Sequence, residues 1–270
     1  MKLNSSNRLY WANHTSESLA EMVARDPVAV LPIGAIEQHG PHLPLAVDTD
    51  INRGLVAATT DILAGQDLPV LFLPTMPIGK STEHLDFPGS LSFSTQTLIS
   101  MWMEIGECVA KTGIKRLVFF NSHGGQVAPM DIVARDLRVK CDLLTFSCNW
   151  FGLGLPEGLL SEHENTYGIH AGELETSMML HLHPDKCRME KAQNFSSHIE
   201  DLNGRTRHLG LGSGGKIGWK ANDLNPFGAC GNACAATSQT GALAINHVAA
   251  EFAVMLREVL AYDLDKRPKK

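Results

Sequence analysis

Four short apolar runs, separated by stretches of helical periodicity, constrain the fold of this chain more than any other feature. Pro27–Ile36 is β-branched and nearly continuously apolar, and polar and turn residues follow it directly. Leu68–Leu73, Ile114–Phe120 and Asp142–Ser147 repeat the pattern. Between them, apolar residues recur at helical spacing over Ile51–Leu63, over Thr95–Lys111 behind the cap residue Ser94, and over Val127–Val139. A strand buried on both faces needs cover on both, so this alternation predicts an α/β fold: a mainly parallel central sheet flanked by helices, in three layers. A further helix is expected to begin near His170, and a long amphipathic one to run from Gln239 to Tyr262. Neither an internal repeat nor a linker interrupts the 270 residues, which read as a single domain, 1–270.

Composition excludes several function classes. The chain carries 23 basic and 29 acidic residues, net charge -6, and its basic residues are scattered except in the tail Asp265–Lys270, read as a solvated end. A nucleic-acid footprint would need them clustered. No apolar run approaches the roughly 20 residues of a membrane helix, and the first 22 residues lack the layout of a secretory signal. A cytoplasmic protein with a small-molecule partner is expected, its six cysteines reduced. Cys230 and Cys234 have no second Cys/His pair and predict no structural zinc. The segment 203–234 is rich in glycine and asparagine. Its Gly210–Gly215 run lacks the preceding strand and following helix of a dinucleotide fingerprint, so an ordered loop over the active site is expected instead.

Ligands of open α/β sheets gather beyond the carboxyl ends of the strands. Glu37 and His39 follow the first predicted strand, with Asp48 a short loop away, and Asn121-Ser122-His123-Gly124-Gly125 follows the third. Carboxylates and neutral imidazoles are the usual ligands of zinc, manganese or iron, and a divalent cation lets several acids sit close without mutual repulsion. His42 is assigned to orienting the loop, with ligation the alternative. Glu83-His84 either enters the pocket or stays in an exposed loop. The segment 219–226 either closes over a substrate or packs Trp219 into the core, and Met101-Trp102-Met103 reads as core.

Gly34–Pro44 with Asp48-Thr49-Asp50, Phe87–Ser92, Asn121–Gly125 and His170–Ser177 resemble, in order, the creatininase (creatinine amidohydrolase) family. The resemblance implies a metal-dependent hydrolase with two divalent ions per chain at the strand ends, assembled as a homohexamer. It implies Glu37, His39, Asp48 and His123 as ligands, Asp48 bridging, and His170 as the catalytic histidine. Creatininase has a glutamate where this chain has Gly125. The fifth ligand is therefore sought in His170-Ala171-Gly172-Glu173: in a helix His170 and Glu173 share a face and Glu175 points around the axis. That geometry selects Glu173 as ligand and leaves Glu175 a supporting role, grouped with His170 as catalytic, or a place at an interface.

The expected reaction is hydroxide attack on the carbonyl of a cyclic amide, formamide or other non-peptide C–N substrate, with His170 or a carboxylate protonating the leaving nitrogen. Thr166 stands where creatininase has a tryptophan, which argues against creatinine itself. The alternatives are hydrolysis of a carbon–carbon bond in a cyclic ketone such as a dehydro-inosose, and a metal-binding protein without turnover.

Overall fold

In the computed structural model, which describes residues 7–212 and 214–263, β1 (Val28–Ile33), β2 (Val70–Phe72), β3 (Arg116–Asn121) and β4 (Leu144–Asn149) form a parallel sheet in the order β2-β1-β3-β4. Each begins within about two residues of its predicted start, the scatter normal for element ends. The expected solvated tail lies outside the described residues, as does Ser213 of the Gly210–Gly215 run.

The described residues include nine α-helices: α1 (Ser16–Val23), α2 (Val47–Leu63), α3 (Thr95–Lys111), α4 (Val127–Cys141), α5 (Glu162–Tyr167), α6 (Glu173–Leu182), α7 (His198–Arg205), α8 (Ala221–Leu224) and α9 (Ser238–Ala261). Ser94 caps α3 as predicted, accepting from the Thr97 amide at 3.2 Å. Two short strand pairs lie outside the main sheet. They are β5 (Asn194–Phe195) with β8 (Gly231–Asn232), and β6 (Leu209–Gly210) with β7 (Gly215–Lys216).

Side chains alternate across a strand, and here both faces are apolar. Val28, Val30, Val118 and Phe120 pack against α2, α6 and α9, where Phe252 stacks on Phe120 with ring centroids 3.9 Å apart. Ala29, Leu31, Leu117 and Phe119 face α3 and α4, whose Trp102 is buried as expected. The result is the three-layer α/β arrangement with a mainly parallel sheet.

From β1 the chain crosses to one side for β2 and to the other for β3, which opens a crevice between the carboxyl ends of β1 and β3. Buried Asn52 on α2 ties the two ends together. Its amide donates to Ile33 O of β1 (3.4 Å) and, on the β3 side, to Phe120 O (3.0 Å) and Ser122 Oγ (2.8 Å).

Two boundaries differ from expectation and both bear on function. α2 begins at Val47 rather than Ile51, so Asp48 sits in a first helical turn and not on a loop. An acid is favoured there by the helix dipole. The helix expected near His170 begins only at Glu173. His170 pairs instead with Cys230 in an isolated bridge, and Ala171 turns the chain at φ 53°.

Candidate metal centre

Each histidine of the crevice has one ring nitrogen occupied by a carbonyl oxygen, which fixes the proton on that nitrogen and frees the other. His39 Nδ1 donates to Glu37 O at 3.0 Å, His123 Nε2 to Lys80 O at 2.8 Å, and His170 Nε2 to Gln38 O at 2.7 Å. The lone pairs of His39 Nε2, His123 Nδ1 and His170 Nδ1 all point toward the acids. The turn after β3 is held equally firmly: Asn121 Oδ1 accepts from the His123 amide (3.0 Å) and from Gln126 Nε2 (2.8 Å). Behind Glu37, Thr49 Oγ1 donates to Ala35 O, and Gly34 leaves room where a Cβ would lie 2.6 Å from that hydroxyl.

Asp48 divides the cluster. Its Oδ1 lies 3.9 Å from His39 Nε2, and the same nitrogen is 3.9 Å from Glu175 Oε2. Its Oδ2 lies 3.8 Å from His123 Nδ1, which is 3.2 Å from Glu37 Oε2. Two donor sets thus share one carboxylate. Glu37 Oε2, Asp48 Oδ2 and His39 Nε2 are buried with no hydrogen-bond partner, a costly condition unless a cation serves them. Among the described residues, three overlapping groups bring ligand atoms within 4.8 Å of one another: Glu37/His39/Asp48, His39/His170/Glu175 and Glu37/His84/His170.

Electrostatics point the same way. Burial, reinforced by the Glu37 charge, pushes the Asp48 carboxyl well above its ordinary range. Burial acts to raise Glu37 too, but His123, His84 and His170 outweigh it and hold that carboxyl well below. Burial would lower His123; Glu37, Glu83 and Asp48 raise it well above an ordinary imidazole. Protons on Asp48 and His123 can balance such a cluster, but a divalent cation also satisfies the unpaired atoms, and this donor set fits one.

The cluster forms the floor of a cavity of about 910 Å³. Trp150, Phe151, Leu155, Leu160 and Ile217 give it apolar walls, with Trp219 beside His84.

Residues 12–256 match the family model Creatininase, described as creatinine amidohydrolase. The chain belongs to the creatininase family. It is 34% identical over 181 residues to the mycofactocin precursor peptide peptidase of Mycobacterium tuberculosis (strain CDC 1551 / Oshkosh), covering 65% of this chain and 66% of that protein's own length. With the creatinine amidohydrolase of Pseudomonas putida it shares 29% identity over 190 residues, 64% of this chain and 70% of that one. Among solved structures, a manganese creatininase superposes with a TM-score of 0.73 at 21% identity, covering 93% of this chain and 98% of that one. A mutant creatininase of zinc–zinc type gives 0.73 at 22% identity over 93% and 97%. These two likenesses establish the fold.

The creatininase-family reading of the sequence places most site residues together: Glu37, His39, Asp48, His123, His170 and Glu175 all face the crevice. Glu173 does not. It is half-buried at the start of α6, outside all three ligand groups, and burial with the neighbouring Glu164 charge raises its carboxyl. The helical-face reasoning fails because His170 is not in the helix. After the turn at Ala171, it is the Glu175 carboxylate that returns to the crevice, accepting from the Ala171 amide at 2.6 Å.

Glu83-His84 enters the pocket. His84 Nε2 is 3.4 Å from Glu37 Oε1, and Glu83 Oε1 is 3.4 Å from His123 Nε2 beside Gly125, where any Cβ would collide with it. Thr166 is exposed and bonds Glu162 O within α5, so nothing replaces an indole at that position. Trp219 lines the cavity and also packs on the small cluster of Ile199, Leu224 and Cys230.

His42 lies in none of the ligand groups. It stacks on Phe195 and its Nε2 is 2.9 Å from Thr176 Oγ1, which fits an orienting role. His42→Leu is expected to leave metal content unchanged and to cost about 1–3 kcal/mol of stability. A lowered thermal midpoint with full metal content checks this; loss of metal would make His42 a ligand.

Proposed function

We propose that this creatininase-family chain is a metal-dependent amide hydrolase. Two divalent ions, zinc or manganese before iron, would be held by Glu37 and His123 on one side and by His39 and Glu175 on the other. Asp48 would be shared between them. The observation that carries the reading is the convergence of three unpaired buried atoms, Glu37 Oε2 and His39 Nε2 after β1 and Asp48 Oδ2 on α2, with His123 Nδ1 and Glu175 Oε2 within 4 Å of members of that set. Two cations so held supply a Lewis acid for the substrate carbonyl and a water acidic enough to deprotonate near neutral pH.

The chain's own residues do the rest. With Nε2–H held by Gln38 O, His170 Nδ1 is the atom that carries a proton into the cavity, 3.8 Å from Glu37 Oε1. It protonates the leaving nitrogen, which departs poorly as an anion. The apolar walls exclude water and seat the substrate beside the acids.

A cavity of about 910 Å³ favours an amide much bulkier than creatinine. The similarity to mycobacterial precursor peptide peptidases puts a short peptide with an apolar side chain first, ahead of the non-peptide amide or formamide expected from sequence. We also propose a single-domain, cytoplasmic homohexamer, its hexameric assembly resting on the family resemblance. Among the described residues no helix is long and apolar enough to cross a membrane.

Elemental analysis of metal-loaded protein should approach two equivalents per chain. In steady-state assays against short peptides, formamides, cyclic ketones and creatinine, kcat/KM for creatinine is expected at least about 10²-fold below the best substrate, about 2.7 kcal/mol in transition-state binding. Creatinine as the best substrate would overturn the substrate class, and a stoichiometry of zero or one would overturn the paired-metal site.

A further inference from the structure

Glu164 on α5 is a buried acid with no described Lys or Arg partner, 3% exposed, and it supplies no atom to the three ligand groups. Its carboxylate instead joins two backbone segments. Oε1 accepts from the Glu173 amide at 2.7 Å, serving the N-terminus of α6, and Oε2 accepts from the Asn232 amide in β8 at 2.8 Å. Those segments are the ones that deliver the site. His170 and Cys230 form the bridge between them, with Cys230 N donating to His170 O at 2.8 Å. Ala171 then makes its left-handed turn, and its amide donates to Glu175 Oε2.

The surroundings are shaped around this one carboxylate. A Cβ at Gly168, Gly172 or Gly231 would collide with it, so three glycines on three sides leave the space it fills. A left-handed alanine is strained and persists only where neighbouring structure over-determines it. Glu164 closes that structure by tying the start of α6, just after the turn, to β8, next to Cys230, which pairs with His170 just before the turn.

We propose that Glu164 is a positioning residue that sets His170 and Glu175 in register with one another. This rests on the reading of His170 as proton donor and Glu175 as ligand. A glutamine at 164 offers one acceptor and one NH2 group to two N–H donors, so one backbone amide loses its partner and faces a donor. The turn should then relax, and Glu175 should move relative to His39.

The test is zinc competition with a chelator on folded protein, alongside kcat and KM. For Glu164→Gln, affinity for one of the two zinc equivalents is expected to fall about 10–100-fold, the size of effect seen for groups that orient ligands. kcat should fall by a similar factor with KM little changed. A role in stability alone would lower the thermal midpoint and leave both metal affinity and kcat of the folded protein intact; that result overturns the proposal. Should Glu164→Gln fail to fold, Gly168→Ala displaces the carboxylate without removing it and carries the same expectation. Wild-type protein that takes up no zinc would overturn the reading of the centre, and this proposal with it. Normal uptake in wild type and in both variants would overturn the proposal alone.

Discussion

Glu175→Gln is expected to remove one of two zinc equivalents, while Glu173→Gln leaves both in place. Glu175 Oε2 stands 3.9 Å from His39 Nε2, an unpaired and fully buried nitrogen, and Asp48 Oδ1 stands at the same distance on another side. These three atoms form the half of the cluster that lacks Glu37 and His123. Zinc sites of four ligands supply about 10–16 kcal/mol at neutral pH, so one ligand is worth roughly 3 kcal/mol, a loss of about 10²-fold or more in affinity. An amide at 175 keeps the length of the side chain and loses the charge, so a loss of metal reports coordination and not packing.

Glu173 offers the control on the same helix turn. Its side chain is half-exposed and joins no ligand group, and its backbone amide is already bonded to Glu164. Competition titrations of the two variants decide the matter. Zinc lost from Glu173→Gln and kept by Glu175→Gln would restore the assignment made from helical spacing.

That assignment shows where the sequence stops being readable. β1, β2 and β3 were legible because burial on both faces demands continuous apolar runs, and all three are buried along their length, whereas the edge strand β4 is mostly half-buried and was marked by its position after a helical stretch. Glu37, His39 and His123 were legible because they follow those runs. Asp48 was placed near enough, although α2 starts four residues earlier than its apolar pattern suggests, since Ala46 provides no side-chain cap to mark the start. The path from His170 to Glu175 was not legible. A left-handed turn is normally announced by glycine or asparagine, and here it falls on Ala171, between a histidine and a glycine. Without that turn the helix is read as beginning three residues early, and Glu173 takes the place proposed for Glu175. Glu164 left no local trace either, because its partners are the amides of residues 173 and 232. The glycines at 168, 172 and 231 were its only mark, and their meaning depends on a contact across the fold.

His170→Asn should lower kcat by about 10²–10⁴ with both metal equivalents retained, the range typical of losing a positioned acid or base. His170 is packed between two other imidazoles, with ring centroids 4.2 Å from His39 and 4.4 Å from His84, and is 8% exposed. Its Nε2 is committed to Gln38 O, which leaves Nδ1 as the only ring atom able to exchange a proton with substrate. Asparagine can place an amide near that position and make a hydrogen bond, but it cannot carry a proton to the leaving nitrogen. KM should therefore change little while kcat collapses, the pattern of an interaction made in the transition state. The alternative is present in the same geometry: His170 Nδ1 also falls within two of the three ligand groups, beside Glu37 with His84 and beside His39 with Glu175. A ligand and a proton donor predict opposite metal contents for the variant. Loss of a zinc equivalent in His170→Asn would make it a ligand, and proton delivery would then pass to His84, the imidazole on the cavity wall outside the proposed ligand set.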